Sequence, residues 1–276
     1  MSSSTVTPVW YVYGIVRADL PLAGMPHGVD DAEVISEPRG GVAALVSVLD
    51  GARYQPQAVE VMSGDVEWLS PRAVIHDLVL TWATDRAAGA VIPLPMFSLF
   101  SGRDAVQAML AERASQFVSA LAEVARGREF ALRAYRLDAE LLDAVPALSP
   151  RLQAMAASAA SAAPGQRYLL ERKLEAEKKA EMRAASQRIV EEIVADLGAI
   201  AVRAVRSPIP RNPDADVASR GTMVLNAAFL VAPDRLPTFQ TTISELVERH
   251  RLHGFRFDFT GPWPPYHFAS EAANGD

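Results

Sequence analysis

Five histidines, at His27, His76, His250, His253 and His267, are the side chains best suited to proton transfer or metal binding near neutral pH. None stands in an H-E-x-x-H arrangement, so a zincin-type metal site has no starting point. His250 and His253 are three residues apart near the end of a helical pattern and could share a face. Two imidazoles do not complete a metal site, and the expected role is a solvated pair or a cap on the helix C-terminus, where a cation is favoured. No G-x-S-x-G nucleophile elbow and no P-loop occurs. Gly14 and Gly24 are too scattered for a dinucleotide-binding turn, which needs three close glycines between a strand and a helix. The acidic pairs Asp30-Asp31 and Glu191-Glu192 are adjacent, so their carboxylates point apart and read as solvated faces rather than a paired-carboxylate site. No residue is therefore assigned a catalytic, cofactor-binding or metal-ligating role.

Three other features stand out. The segment Glu171 to Glu181 is dense in charges of both signs, with Glu175 and Lys179 at the favourable i,i+4 spacing. It reads as an exposed helix held by local pairs, or as a partner-binding surface projecting beyond its domain. Asn226 interrupts an apolar strand, and its amide needs hydrogen-bond partners, which a neighbouring loop or, as the alternative, a ligand could supply. The third is the closing run Gly261-Pro262-Trp263-Pro264-Pro265-Tyr266-His267-Phe268. Its three prolines favour a stiff, extended path. Trp263, Tyr266 and Phe268 are large apolar anchors on that path. Such a run either packs on its own domain or presents a preordered surface to another protein. Trp263, Pro264, Pro265, Tyr266 and Phe268 are the candidate partner-binding residues.

The elements that must position these features follow from periodicity. Val9 to Val16, Glu33 to Ser36 and Val42 to Val48 read as strands, the last two as a hairpin about Pro38-Arg39-Gly40-Gly41. A short helix is expected from Val59 to Leu69. A second is expected from Ser70, with Pro71 in its first turn and Gly89 as its stop. Val74, Leu78 and Trp82 mark its apolar face, which Ile75 and Val79 widen. Pro93 and Pro95 require Val91–Phe97 to be an edge or broken strand. Arg103 to Arg126 has helical spacing. In the second half, Phe130–Leu137 is a strand, and Ala139–Val145 and Pro150–Ala163 are short helices. A long helix of about 45 Å then runs from Pro164-Gly165 to Leu197, with Gly198 as its stop and Ile189, Ile193 and Leu197 packed on a sheet. Ile200–Val205 and Thr222–Val231 are strands separated by a Pro- and Asp-rich loop, Ser207 to Gly221. Asp234–Leu252 is an amphipathic helix, and Phe255–Thr260 is a half-buried strand. The order β, long α, β, β, α, β is that of the ferredoxin-like split βαβ motif. The fold class is α+β in two domains, 1–127 and 128–276. The second is a modified ferredoxin-like β-α-β-β-α-β sandwich with an elongated first helix and a Pro/aromatic C-terminal extension.

Composition narrows the function classes. With 276 residues, half of them hydrophobic, the chain has ample material for a core. A net charge of −6 shows no overall basic excess of the kind nucleic-acid binding favours. The chain has no cysteine, so disulfides and thiolate-ligated metals are excluded. The first residues lack the basic and apolar regions of a signal peptide, and no run approaches the roughly 18 apolar residues of a membrane helix. These features describe a soluble cytoplasmic protein with no nucleic-acid or membrane partner.

Several motifs together are similar to a known family. The closing Gly-Pro-Trp-Pro-Pro-Tyr-x-Phe, preceded by Leu225-Asn226-Ala227-Ala228-Phe229-Leu230-Val231, resembles the C-terminal pattern of the gas vesicle proteins GvpF and GvpL. Tyr11 to Val16 resembles their first strand. Ala73 to Leu80 followed by Val91 to Phe97 resembles their middle pattern, and Gly165-Gln166-Arg167-Tyr168-Leu169 their Gly-x-x-Tyr-Leu. Two departures are Pro95 to Phe100, where Phe-Gly-Thr is more usual, and His267, where serine is common. The resemblance implies a non-enzymatic accessory or minor structural protein of gas vesicle assembly, at the vesicle or in the cytoplasm. It implies binding to the hydrophobic GvpA-type shell protein and to other accessory Gvp proteins, with no cofactor. The alternative reading is a ligand-sensing ferredoxin-like regulatory module, since that fold also hosts sensors.

Overall fold

The structure is a computed structural model, which describes residues 7–210 and 220–269. It is a mixed helix-and-sheet fold whose backbone contacts cluster into two compact units, residues 1–129 with 262–276 and residues 130–261.

The first unit is built on the central strand β1 (Val9–Arg17). It pairs antiparallel with β3 (Val42–Leu49), which pairs with β2 (Ile35–Arg39) across the expected hairpin. On its other side β1 carries β4 (Val91–Pro93) and then β5 (Leu99–Phe100). The expected broken strand is the gap between these two, at Pro95. Its ends are tied to β1 by Leu94 N–H donating to the Tyr13 carbonyl (2.9 Å) and Val12 N–H donating to the Ser98 carbonyl (2.9 Å). A bulge at Tyr13 shifts the β1–β3 register between Val12 and Gly14.

Helix α1 (Pro56–Met62) ends early, and α2 runs Val66–Arg86. The helix break expected at Ser70 is absent. Asp65 caps α2 by accepting the Glu67 N–H (3.0 Å), so nucleation comes four residues before Ser70 and Pro71 lies inside the helix. The expected apolar face of α2 also requires correction. Val74 and Leu78 are exposed at 66% and 47%, while His76, Val79, Leu80 and Ala83 are buried. Leucine and valine lie around most of this helix, so periodicity alone could not select the face. At its end Gly89 takes φ +92° and its N–H returns to the Thr84 carbonyl, as a glycine stop should. The expected helix over 103–126 divides at Arg113 into α3 (Arg103–Glu112) and α4 (Ala114–Val124).

In the second unit the strand order is β7-β8-β6-β9, formed by β6 (Arg128–Arg136), β7 (Arg203–Arg206), β8 (Thr222–Val231) and β9 (Phe255–Trp263). Helices α5 (Asp138–Leu148) and α6 (Pro150–Ser161) precede the long α7 (Pro164–Ile200); α8 is Leu236–Arg251. Pro146 does not end α5, and Gly198 does not end α7. Met182, Ala185, Ile189, Ile193 and Leu197 of α7 are buried with Phe229, Phe239 and Phe255, so the C-terminal half of α7 packs on the core as expected. Residues 211–219 of the Pro- and Asp-rich loop lie outside the described residues.

Candidate partner-binding surface

Strand β9 continues past its expected end through Gly261, where φ of +126° suits a glycine, and into Pro262 and Trp263. The chain then tightens. Tyr266 N–H donates to the Pro264 carbonyl (2.7 Å) and Ala269 N–H to the Pro265 carbonyl (3.0 Å). This turn places the five candidate residues unequally. Pro264, Pro265 and Phe268 are buried. Trp263 and Tyr266 keep 39% and 38% of their surface exposed.

The run was assigned from sequence to the second domain. Its contacts place it with the first unit, because its polar anchors lie there. Tyr266 Oη donates to Asp77 Oδ1 of α2 (2.8 Å). Burial, followed by the adjacent Asp77 carboxylate, pushes the Tyr266 phenol well above its ordinary pKa and keeps it a donor. Glu129, whose side chain is 1% exposed, receives the next residue twice. The His267 N–H donates to Glu129 Oε2 (3.0 Å), and His267 Nδ1 lies 2.7 Å from Glu129 Oε1. A buried carboxylate is tolerated only when its oxygens are satisfied, so this pair fixes where the run must lie. In the sequence His267 stands out only as a departure from the family's usual serine. The missed signal was Glu129, a carboxylate beside Arg128 at the start of β6 and immediately before its apolar residues.

Beneath α2 lies a second polar system of the first unit. Phe97 N–H donates to Tyr11 Oη (3.4 Å), and Tyr11 Oη lies 2.7 Å from His76 Nδ1. His76 also bonds the Leu94 carbonyl, an arrangement that suits the neutral ring. Burial holds the His76 pKa down to about 4, against the smaller opposing effects of Leu94 and Asp77. Next to it Tyr13 Oη donates to Ser47 Oγ (3.0 Å) and accepts the Val29 N–H (2.8 Å). Gly28 is required here for space, since a Cβ would stand 2.0 Å from the Tyr13 hydroxyl. Arg72 stacks 4.4 Å over Trp68, donates to Tyr54 Oη (2.9 Å) and pairs with Asp30 (2.6 Å). Burial pushes Tyr54 up to about 12. Asp30 of the expected solvated pair is thus half of an internal ion pair, while Asp31 sits beside the exposed His27 (3.0 Å). These groups satisfy one another, and among the described residues no cluster of three potential ligands surrounds a metal-sized space.

The second unit corrects one expectation and supports another. His250 is not solvated but 3% exposed, packed against Phe255, with Glu192 Oε2 3.7 Å from its Nε2. Burial lowers its pKa, opposed by Glu192 and reinforced by His253 and Arg249. The expected helix-end cap fails because α8 turns this position inward beside Leu246. Asn226 does find a loop partner, donating from Nδ2 to the Pro208 carbonyl (3.3 Å).

Comparison with known proteins decides the family. The sequence model of the gas vesicle synthesis protein GvpL/GvpF family matches residues 9–270. The chain belongs to this family. It is 26% identical to gas vesicle protein L of Streptomyces sp. over 265 residues, covering 95% of this chain and 93% of that one. It is 29% identical to gas vesicle protein F of Streptomyces sp. over 264 residues, covering 94% and 98%. The crystal structure of the GvpF protein from Anabaena sp. superposes with a TM-score of 0.70 at 18% identity, covering 95% of this chain and 98% of that one. The GvpF structure from Microcystis aeruginosa gives 0.66 at 18% identity, covering 95% and 99%. At such identity the structures establish the fold alone. The fold they share with this chain is mixed helix and sheet.

Proposed function

We propose that the chain is an accessory or minor structural protein of gas vesicle assembly that binds the GvpA-type shell protein and other accessory Gvp proteins, acting in the cytoplasm or at the vesicle. The observation that carries this reading is the GvpL/GvpF family match across residues 9–270. Physical chemistry makes the role coherent. A shell protein with an apolar face associates prematurely unless its edges and patches are covered, and a cover needs exposed apolar and charged surface rather than catalytic groups. The partly exposed rings of Trp263 and Tyr266 and the exposed Val74 and Leu78 of α2 supply apolar surface on the first unit. In the same reading, the second unit is a modified ferredoxin-like module, supported by its strand order β7-β8-β6-β9. Deletion of the gene in a strain without a second homologue should abolish buoyant vesicles, and the wild-type chain supplied in trans should restore them. A normal vesicle yield in the deletion strain would sink the proposal.

A further inference from the structure

The long helix α7 begins well before it reaches the core. From Pro164 to Ala180 the side chains are exposed or half-buried, and the first buried one is Met182. This half does not hang free, because α6 runs back along it to form a helical hairpin. Ser149 caps α6 by accepting the Leu152 N–H (3.1 Å) and donates to Glu181 Oε2 (2.7 Å). Arg151 pairs with Glu177 (3.0 Å), and Arg167 donates to the Ala159 and Ala160 carbonyls at the end of α6 (3.3 and 3.1 Å). The acidic residues of this half are thus largely committed. Glu177 and Glu181 face Arg151, and Glu175 holds Lys178 (2.6 Å) at i,i+3 rather than the expected Lys179.

What remains on the outward face is basic. At 3.6 residues per turn, Tyr168, Arg172, Lys179 and Arg183 fall in one row, and Leu169, Lys173, Ala176 and Ala180 in the next. All eight are exposed. The two rows contain four cations, and Glu175 at the edge of the first row is paired with Lys178 (2.6 Å), in a chain whose net charge is −6. None of the four cations has an ion-pair partner among the described residues. The stripe is about 22 Å long, the fifteen helical rises from Tyr168 to Arg183. Ala176 and Ala180 lower the surface beside the cations, and Tyr168 and Leu169 (60% and 66% exposed) close its outer end with apolar area.

We propose that this face of α7, from Tyr168 to Arg183, docks an acidic amphipathic helix of another protein. Carboxylates repeating at i,i+4 along such a helix match the row of cations, small side chains fit over Ala176 and Ala180, and an apolar residue meets Tyr168 and Leu169. Charge complementarity selects an acidic occupant over a basic or neutral one. The inference follows from the charge and shape of α7 and does not rest on the role in gas vesicle assembly.

The test uses the full chain and a labelled synthetic helical peptide with glutamate and leucine at i,i+4 spacing, followed by fluorescence anisotropy. Its counterpart carries lysine for each glutamate. Saturable binding of the glutamate peptide is expected, weakening with added salt, with the lysine peptide binding at least about tenfold more weakly. The combined variant R172E/K173E/K179E/R183E should lose at least about tenfold in affinity, and the uncharged variant R172Q/K173Q/K179Q/R183Q several-fold. These side chains are exposed, so both variants should melt like the wild type. No saturable binding, equal binding by wild type and charge-reversed chain, or equal binding of both peptides would overturn the proposal. So would tighter binding through this face to a thymidine oligonucleotide or to phosphatidylserine vesicles.

Discussion

The terminal run and the N-terminal half of α7 are the two segments whose composition suggests contact with another protein, and the structure uses them in opposite ways. The run is apolar and proline-stiffened, and it spends most of its surface on its own first unit: Pro264, Pro265 and Phe268 are buried, and Glu129 and Asp77 hold the residues between. The α7 face is charged and pinned from behind by α6, and its outward side chains remain exposed. Aromatic content alone therefore does not mark a docking surface. What separates the two is whether the chain supplies the polar partners. The run meets a buried carboxylate, whereas Arg172, Lys173, Lys179 and Arg183 of α7 have no ion-pair partner among the described residues.

This contrast can be broken most sharply at Phe268. Its ring is 7% exposed, so Phe268→Ala should cost roughly 3–5 kcal/mol through lost burial and an unfilled cavity. Thermal melting should show the drop, whereas Tyr168→Ala on α7 should stay within about 0.5 kcal/mol.

The next effect is pH-dependent. His76 is neutral in the folded first unit with its pKa lowered to about 4, so below the ordinary histidine value near 6.5 the unfolded chain binds more protons. Its contribution is whole above that value and is lost as pH falls toward 4, amounting to about 3 kcal/mol. His76→Gln should flatten this part of the pH–stability curve. His250 gives the second unit a slope of the same sign, since burial lowers its pKa as well.

Removing the His267 side chain should cost about 1–3 kcal/mol, because Glu129 stays buried with the backbone N–H still bound but the ring contact gone. Denaturant melts of His267→Ala against wild type measure it. Tyr266→Phe removes one bond to Asp77 from a half-buried ring and should cost only about 1 kcal/mol.

Strands were legible where the chain is continuously apolar. Val42 to Val48 and Thr222 to Val231 lie within a residue of their observed bounds because most of both faces is buried. Helix ends were less so. Proline misled at Pro71 and Pro146, since a cap upstream or packing alongside carries the helix past a missing N–H. The face of α2 was illegible because the exposed Val74 and Leu78 are as apolar as the buried Val79 and Leu80. The terminal run was recognisable as a motif, but its destination depends on Glu129 and Asp77, far away in sequence. The basic face of α7 was hidden by its alternation with glutamates, and it separates only once α6 shows which acids are already paired.

Hydrogen exchange of a peptide spanning 262–269 reads out whether the terminal run is a fixed part of the first unit. The His267 amide bonded to Glu129 and the Ala269 amide bonded to Pro265 should exchange as slowly as the amides of β1. Exchange of both at the rate of an unstructured chain would show that the run is not fixed to the first unit.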